Sequence, residues 1–242
     1  MLWARPGSGA WLRLPDSVVG LAPPGAPLGP RWVRRAQRWP DLAEGDAVVV
    51  DAAGLRSGDG PVFLDHRHAV GWLGPLPHHE ALAAASGRAV LTDALTVCRP
   101  SRLAERPWSD TVAPAAAAIG RAEPLDALRT VARALGGLGP GLTPAGDDAL
   151  SGILFAFRAL GGPSVEPALL AVARSVRTSD LAAGVLEAAA TGGHIEPVHD
   201  LVVAAAAADA AAAAKAAREL EGFGASSGAD VAYGLRLAFT FR

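Results

Sequence analysis

The sequence predicts an α+β protein with a β-rich N-terminal half and a helical C-terminal half. Up to about residue 110, short apolar segments alternate with Pro and Gly at close intervals, which is typical of strands and turns. From about residue 114, apolar residues recur at the spacing of helices. Of the 242 residues, 50% are hydrophobic, which is enough to bury a large core. We therefore expect a mostly antiparallel β half, residues 1–112, packed with a helical half, residues 113–242.

The clearest strand pattern of the N-terminal half surrounds a turn-rich segment. Residues 47–51 (Ala-Val-Val-Val-Asp) precede the segment 54–60, and residues 61–65 (Pro-Val-Phe-Leu-Asp) follow it. This order predicts two strands paired across a turn. Further short strands of a small, mostly antiparallel sheet are predicted at residues 11–14, 69–73 and 88–91.

The C-terminal half contains a succession of predicted helices. The first begins at Pro124, because proline suits the first helical position, and ends at Gly136, where two glycines follow the apolar face. The second begins inside a glycine-rich segment and ends at Gly161. The others are predicted at residues 166–176, 179–190, 197–221 and 229–239, with a break in the third of these near Asp209.

Charge and composition exclude several classes of partner. The formal net charge is -2, and Lys and Arg form no block, so neither a nucleic acid nor an anionic membrane surface is expected as a partner. The single cysteine, Cys98, permits no internal disulfide and is expected in the core. No long apolar run predicts a membrane span, and the N-terminus lacks the apolar region of a signal peptide. We therefore expect a cytoplasmic protein.

Two glycine-rich turns of one design occur in the helical half. Residues 145–152 read Ala-Gly-Asp-Asp-Ala-Leu-Ser-Gly, and residues 227–234 read Ser-Gly-Ala-Asp-Val-Ala-Tyr-Gly. Both follow the pattern small-Gly-x-Asp-x-x-x-Gly at the start of a predicted helix, so we predict one ligand site between them. Its candidate residues are Gly139, Gly141, Thr143, Gly146, Asp147, Asp148, Ser226, Ser227, Gly228 and Asp230.

The residue types of these turns allow more than one kind of ligand. Glycines let a backbone approach a ligand closely, and the free N–H groups of a helix's first turn bind carboxylates or phosphates. The hydroxyls of Thr143, Ser226 and Ser227 either cap the helices or donate hydrogen bonds to the ligand. Asp147 and Asp148 would repel a bare anion, so an Asp binds either a divalent cation such as Mg²⁺ or the N–H groups of an amide. The alternative is purely structural: a capped helix whose glycines permit tight packing.

Four ordered segments resemble the family of the AllH-type subunit of oxamate carbamoyltransferase. Residues 139–148 (Gly-Pro-Gly-Leu-Thr-Pro-Ala-Gly-Asp-Asp) resemble that family's first glycine signature, and residues 224–230 resemble its second turn. Residues 178–184 and 192–201 resemble the segments between them. The resemblance covers about residues 110–240, and the ordered spacing of four segments is more specific than any one of them.

The resemblance implies a subunit of a carbamoyl-transfer system. In the family's named example, a complex with FdrA-type and AllG-type subunits interconverts oxalurate plus phosphate with oxamate plus carbamoyl phosphate during allantoin breakdown. A small anionic or carbamoyl ligand and FdrA-like and AllG-like partners are therefore implied, and the protein is expected to be part of an enzyme, with its catalytic residues unassigned. Two other functions stay open: a non-catalytic scaffolding partner of a larger complex, and a stand-alone small-molecule enzyme.

The histidines give weaker signals than the turns. Four of them lie within residues 66–79, where packed or solvated roles are favoured over a metal site because neither a helix nor a defined acidic partner accompanies them. His194 follows two glycines and could reach a site as an acid or base, but a cap or turn role is the favoured interpretation. The role of His199, in the same family-like segment, is left open.

Overall fold

The computed structural model describes residues 2–4, 10–14, 18–22, 24–34, 43, 45–51, 54–58, 60, 62–64, 72, 74–119 and 124–240. The chain divides into two compact units, Met1–Leu73 and Gly74–Arg242. The division falls earlier in the chain than the boundary predicted at residues 112/113. The predicted α+β class is confirmed, with strands in the first unit and helices in the second.

The first unit contains two small sheets. One has the strand order β1 (Leu2–Ala4), β2 (Ala10–Arg13), β3 (Val18–Ala22) and β4 (Trp32–Arg34), with two antiparallel pairs followed by a parallel one. The other has the order β5 (Val48–Asp51), β6 (Gly54–Ser57) and β7 (Val62–Leu64), and both of its pairs are antiparallel. The pairing is thus mostly antiparallel, as the sequence predicts.

A glycine allows two tryptophans to pack over the four-stranded sheet. The rings of Trp11 and Trp32 meet edge to face with their centres 4.6 Å apart. A Cβ at Gly20 of β3 would lie 2.9 Å from each of the two side chains. The absence of a side chain at Gly20 therefore makes room for this aromatic pair.

The predicted pairing across residues 54–60 is wrong, because this segment contains a strand of its own. β6 pairs with β5 on one side and with β7 on the other, so the two predicted strands do not pair with each other. Only two residues separate β5 from β6, a length that suits a hairpin. Leu55 of β6 is buried, and this apolar contact favours a strand although the glycines of the segment favour a turn.

The strand predicted at residues 88–91 is also wrong. These residues lie in a helix, Ala85–Ala94, that buries Gly87, Leu91 and Ala94 on one face. That spacing is helical, and the alanines of the region favour a helix. The strand predicted at residues 69–73 falls almost entirely outside the described residues.

The secondary-structure elements described in the second unit are all helices. Its helices are α1 (His79–Ala83), α2 (Ala85–Ala94), α3 (Trp108–Ile119), α4 (Pro124–Leu135), α5 (Ala145–Gly161), α6 (Glu166–Ser175), α7 (Asp180–Ala190), α8 (Glu196–Ala206), α9 (Ala210–Glu221) and α10 (Ser227–Thr240). The predicted helices of the C-terminal half are confirmed to within a few residues. Across the described residues, no helix combines the length and the apolar character that crossing a membrane requires.

The break predicted near Asp209 separates α8 from α9. Ala208 has a positive φ of 56°, which ends α8 because few non-glycine residues adopt that conformation inside a helix. The carboxylate of Asp209 accepts a hydrogen bond of 2.9 Å from the N–H of Ala212 and caps α9. Two adjacent residues thus divide an otherwise continuous alanine-rich stretch.

Helix α5 lies at the centre of the second unit and is buried over nearly its whole length. Its most extensive partner is α10. The two helices meet through glycines placed reciprocally: a Cβ at Gly152 would lie 2.5 Å from the carbonyl oxygen of Val231, and one at Gly234 would lie 1.9 Å from that of Ala149. The last glycine of each repeated motif therefore brings the two backbones together.

Candidate functional site

The first glycine turn connects α4 to α5. Gly137, Gly139 and Gly141 have φ values of 71°, 117° and 106°, a region that side chains rarely adopt. The loop closes through a hydrogen bond of 2.8 Å from the N–H of Gly146 to the carbonyl of Leu138. The glycine-rich sequence is thus needed for the path of the chain before α5 begins.

The second turn connects α9 to α10 in the same way. Gly224 has a φ of 64°, and the N–H of Gly228 donates a hydrogen bond of 2.9 Å to the carbonyl of Phe223. Gly228 occupies the motif position of Gly146 in the first turn. The repeat in the sequence is therefore also a repeat in the structure, because each copy consists of two consecutive helices joined by a glycine-rich turn.

The matching glycines Gly146 and Gly228 both pack against the end of the preceding helix. A Cβ would lie 2.0 Å from the carbonyl oxygen of Leu135 at Gly146, and 1.8 Å from that of Leu220 at Gly228. Their N–H groups are bonded to loop carbonyls and are not free for an anion. The expectation that free amides of the first helical turn cradle an anion is not met at these two positions.

Asp147 holds the first turn together. One carboxylate oxygen accepts a hydrogen bond of 2.9 Å from the N–H of Gly137, and the other accepts one from the hydroxyl of Thr178. Next to it, the hydroxyl of Ser179 donates to the carbonyl of Leu142 at 2.7 Å. Both oxygens of Asp147 thus have protein donors, and they join the turn to the start of α7.

Asp148 and Asp230 occupy the same motif position in the two turns, and both carboxylates are buried. Asp148 is 6% exposed and Asp230 is fully buried. Ser101 donates a hydrogen bond to Oδ1 of Asp230. The hydroxyls of Ser227 and Thr143 near Asp148, and that of Ser226 near Asp230, oppose the rise in pKa of these carboxyl groups. The Oδ2 atom of each carboxylate nevertheless has no hydrogen-bond partner among the described residues.

Burial raises the pKa of both carboxyl groups above the ordinary value for aspartate. It raises the pKa of Asp148 to about 7, against the hydrogen bonds of Ser227 and Thr143, and the charge of Asp230 raises it further. The pKa of Asp230 is also raised by burial, but Ser101, Ser226 and the charges of Arg102 and Arg99 oppose the rise. The two carboxyl groups therefore differ in their surroundings, although their positions in the motif match.

A cavity of about 150 Å³ lies beside both turns. The first turn contributes Gly139, Thr143 and neighbouring residues, and the second contributes Ser226. Its full lining is Arg102, Leu103, Trp108, Gly139, Pro140, Thr143, Ala145 and Ser226. The two turns predicted from the sequence to form one site thus face one cavity.

Residues that the sequence interpretation missed complete the cavity. Ser101 donates a hydrogen bond of 2.5 Å to Oδ1 of Asp230 and accepts one of 3.0 Å from the N–H of Leu103. It thereby fixes a short 3-10 turn, Arg102–Ala104, which brings Arg102 to the cavity. The run Arg99-Pro-Ser-Arg102 is the signal in the sequence that could have drawn attention to this segment.

Arg99, in the same run, anchors the second turn. Its guanidinium donates a hydrogen bond of 2.6 Å to the carbonyl of Ala225 and lies 3.3 Å from the carboxylate of Glu221. The segment before α3 therefore both holds the second turn and supplies Arg102 to the cavity.

His194 and His199 are buried next to α5 and are joined by a hydrogen bond. The N–H of His194 donates to Nε2 of His199 at 3.1 Å, and Nδ1 of His199 lies 2.9 Å from the carbonyl of Pro75. Nε2 of His194 lies 3.1 Å from the hydroxyl of Ser151, which donates to the carbonyl of Asp148. Burial lowers the pKa of both rings, to about 3 for His194. The ring of His194 is thus neutral at pH 7, and its contact with Ser151 connects it to the helix that bears Asp148.

Metal sites are not apparent in the described part of the chain, where no group of three or more His, Cys, Asp or Glu side chains is placed to hold an ion. His66 and His68 lie outside the described residues. Cys98 is buried, as expected, and its thiol donates to the carbonyl of Ala217 at 3.4 Å. Burial raises the pKa of this thiol to about 11, so it remains protonated.

These features define a helical unit in which a loop–helix element occurs twice and a small cavity adjoins both copies. Residues 135–239 match the model of a protein family described as oxamate carbamoyltransferase subunit AllH. The resemblance predicted from the sequence is confirmed for this region, which includes both glycine turns. The match does not include Ser101, Arg102 and Trp108. Neither the curated proteins nor the solved structures include a match to this chain.

Proposed function

We propose that this protein is an AllH-like subunit of a carbamoyltransferase that binds a small carbamoyl or carboxylate ligand beside its two glycine turns. The observation that carries the proposal is the cavity of about 150 Å³, to which both turns contribute. Its size suits a ligand of a few heavy atoms, and its lining offers one guanidinium, two hydroxyls and an aromatic side chain.

The charges around the cavity favour a ligand with two different ends. Arg102 supplies a cationic donor, which suits a carboxylate or a phosphate. The carboxyl groups of Asp148 and Asp230, which the hydroxyls of Thr143 and Ser226 influence, are buried. Among the described residues these two carboxylates are not joined by a third acidic or histidine ligand, so we favour an amide-bearing ligand over one bridged by Mg²⁺.

Of the predicted site residues, we propose that Thr143, Ser226, Asp148 and Asp230 define the ligand's environment, together with Arg102. Ser227 acts through Asp148, whose ionised form its hydroxyl favours. Gly139 and Gly141 shape the loop at the cavity, while Gly146, Gly228 and Asp147 hold the turns in place. We therefore propose that only some of the ten predicted site residues contribute directly to the ligand's environment.

The test is binding of oxamate and oxalurate to the purified full-length chain, measured by calorimetric titration. We expect Arg102→Gln to weaken binding about tenfold or more, because a hydrogen bond to a charged group is lost. The matched control is Arg129→Gln, whose guanidinium lies on the surface in an ion pair with Asp126. If the wild-type chain binds neither compound, or if both variants bind equally well, the site proposal is wrong.

The tight packing of the motif glycines keeps a scaffolding function as the second candidate, because such glycines can serve packing alone. The two candidates separate when FdrA-like and AllG-like subunits are added to the chain. In our proposal, carbamoyl transfer appears only in the complex and is reduced by Arg102→Gln. A scaffold would restore activity equally well with Arg102→Gln, and a stand-alone enzyme would need no added subunit.

A further inference from the structure

A second cavity lies at the opposite end of α5 from the glycine turns. Its volume is about 260 Å³, against about 150 Å³ for the cavity beside the turns. Arg158, in the last turn of α5, lines the second cavity, whereas Ala145, at the start of the same helix, lines the first. Along a helix axis these two residues are about 20 Å apart. The two cavities are therefore separate places in the fold.

The side chain of Arg158 is held in position at both ends. Its Nε donates a hydrogen bond of 3.2 Å to Oε2 of Glu166. Its stem packs over Gly192, where a Cβ would lie 3.5 Å from Cγ of Arg158 and 2.7 Å from Cδ1 of Leu76. Gly192 also has a φ of 91°, which side chains rarely adopt. The glycine at this position thus makes room for a wall of the cavity.

The two Nη groups of Arg158 are left for a ligand. Its side chain is only 12% exposed, yet within the described part of the chain neither Nη group has a hydrogen-bond acceptor. Both groups remain accessible, and Arg158 lines the cavity. A guanidinium whose position is fixed binds the two oxygens of a carboxylate through such a pair of donors.

The charges near the cavity favour an anion over a cation. Among the described residues that line it, none is acidic. The nearby carboxylates of Glu166 and Glu80 are engaged, the first by Nε of Arg158 and the second at 3.5 Å from Nε2 of His79. The dipole at the C-terminal end of α5 opposes an anion, but hydrogen bonds to a guanidinium are the stronger effect. Binding of an anion here therefore depends on Arg158.

We propose that this second cavity binds a small organic acid in which a carboxylate adjoins an apolar body. The Nη groups of Arg158 bind the carboxylate. The body lies against the apolar residues of the lining, Leu76, Pro77, Ala159 and Pro163. The site goes beyond the proposed function and does not depend on it, because the two cavities share no lining residue.

Benzoate, benzamide and acetate form a matched set of probes. Benzamide keeps the planar apolar body and loses the charge, whereas acetate keeps the carboxylate and loses the ring. In NMR titrations of the full-length chain at pH 7, we expect benzoate to bind at least about tenfold more tightly than either of the other two. Absence of benzoate binding, or equal binding of benzamide or acetate, overturns the proposal.

The same titration locates the bound benzoate. The imidazole signals of His78 and His79, which line the second cavity, are expected to shift. The indole N–H signal of Trp108, which lines the cavity beside the glycine turns, is expected to stay in place. A shift of Trp108 without a shift of either histidine places benzoate in the other cavity and overturns the proposal.

Substitutions of Arg158 test its role directly. Arg158→Gln should weaken benzoate binding about tenfold or more. Arg158→Lys keeps the charge but lacks the pair of Nη donors, and should weaken it several-fold. Arg174→Gln is the matched control and should bind benzoate as the wild type does, because Nε of Arg174 likewise lies 3.4 Å from a carboxylate, that of Glu187, but Arg174 is exposed.

Circular dichroism of each variant separates loss of fold from loss of binding. If Arg158→Gln does not fold, Arg158→Lys carries the test. Wild-type affinity for benzoate in a folded Arg158 variant contradicts the proposal. Arg102→Gln, which tests the proposed function, should leave benzoate binding unchanged, and Arg158→Lys should leave oxamate binding unchanged, so the two proposals fail separately.

Discussion

The two glycine turns share a backbone design but differ in the charges they hold. In both, a glycine N–H closes the loop, and the next helix packs on the end of the previous one. The first loop is longer, since Gly146 reaches back eight residues to Leu138, whereas Gly228 reaches back five to Phe223. The features that the two turns share, a closed loop and a glycine at the helix contact, are therefore those that close packing of consecutive helices requires.

The polar residues separate the two turns. Position 147 is an aspartate that bonds Gly137 and Thr178, while the matching position 229 is an alanine. Asp148 is surrounded by hydroxyls and by other carboxylates, whereas Asp230 has Arg99 and Arg102 nearby. The repeated geometry thus places both turns beside the cavity, while residues that are not repeated determine the charges near each aspartate.

The largest effect is expected where the two turns are most alike. Gly228→Ala should lower the free energy of unfolding by about 3 kcal/mol or more, since its Cβ would lie 1.8 Å from the carbonyl oxygen of Leu220. Gly146→Ala should have a similar effect, because its Cβ would lie 2.0 Å from that of Leu135. Urea denaturation measures both.

Gly222→Ala is the control for these glycines. Gly222 has a φ of -73°, and its Cβ would make only ordinary contacts at 3.6 Å. Alanine there should be neutral or slightly stabilising, since it restricts the unfolded chain. A Gly146→Ala or Gly228→Ala protein as stable as Gly222→Ala would show that the glycines do not serve helix packing.

A smaller effect should distinguish the two buried aspartates by their pH dependence. Folding raises the pKa of Asp148 to about 7, so this group's contribution to stability is full below its ordinary pKa, near 4, and is lost as the pH rises through about 7. Asp148→Asn should therefore stabilise the protein at pH 8 by about 2 kcal/mol and leave it almost unchanged at pH 4.

Asp230→Asn should gain less at pH 8 than Asp148→Asn. The charges of Arg102 and Arg99 favour the ionised form of Asp230, whereas the charged groups that act on Asp148 are Asp230 and Asp147, which disfavour ionisation. Thermal unfolding of both variants between pH 4 and pH 8 measures the difference. Equal gains would mean that the two turns do not differ in electrostatics.

The smallest effect is expected at the position that the turns do not share. Asp147→Asn should lower the free energy of unfolding by about 1 kcal/mol. The two oxygens of Asp147 accept separately from Gly137 and Thr178, and asparagine keeps only one of these oxygens, so one hydrogen bond is lost. Oxamate binding by the folded protein should be unchanged. Thr178→Val should destabilise similarly, and the two substitutions together should cost less than their sum. Additive losses would contradict a shared interaction.

The sequence predicted the helical unit well and the strands less well. The helices α4 to α10 follow from apolar spacing and from local end signals, such as the two glycines after Leu135 and the break near Asp209. The strands are short and lie between turns rich in glycine and proline, so β6 was predicted as part of a turn. Residues 88–91 have an apolar run that fits either class, and only burial on a helical face decides it.

The sequence by itself determined the repeated motif and the family resemblance of residues 135–239, because both depend on residue order and spacing within about 100 residues. Only the tertiary structure decided what each motif residue does. It placed Asp147 in bonds that hold the loop, packed Gly146 and Gly228 against the preceding helix, and buried the carboxyl groups of Asp148 and Asp230. It also brought Ser101 and Arg102 beside residues more than a hundred positions later. The direction of a side chain and its neighbours depend on contacts distant in sequence, and spacing along the chain does not specify them.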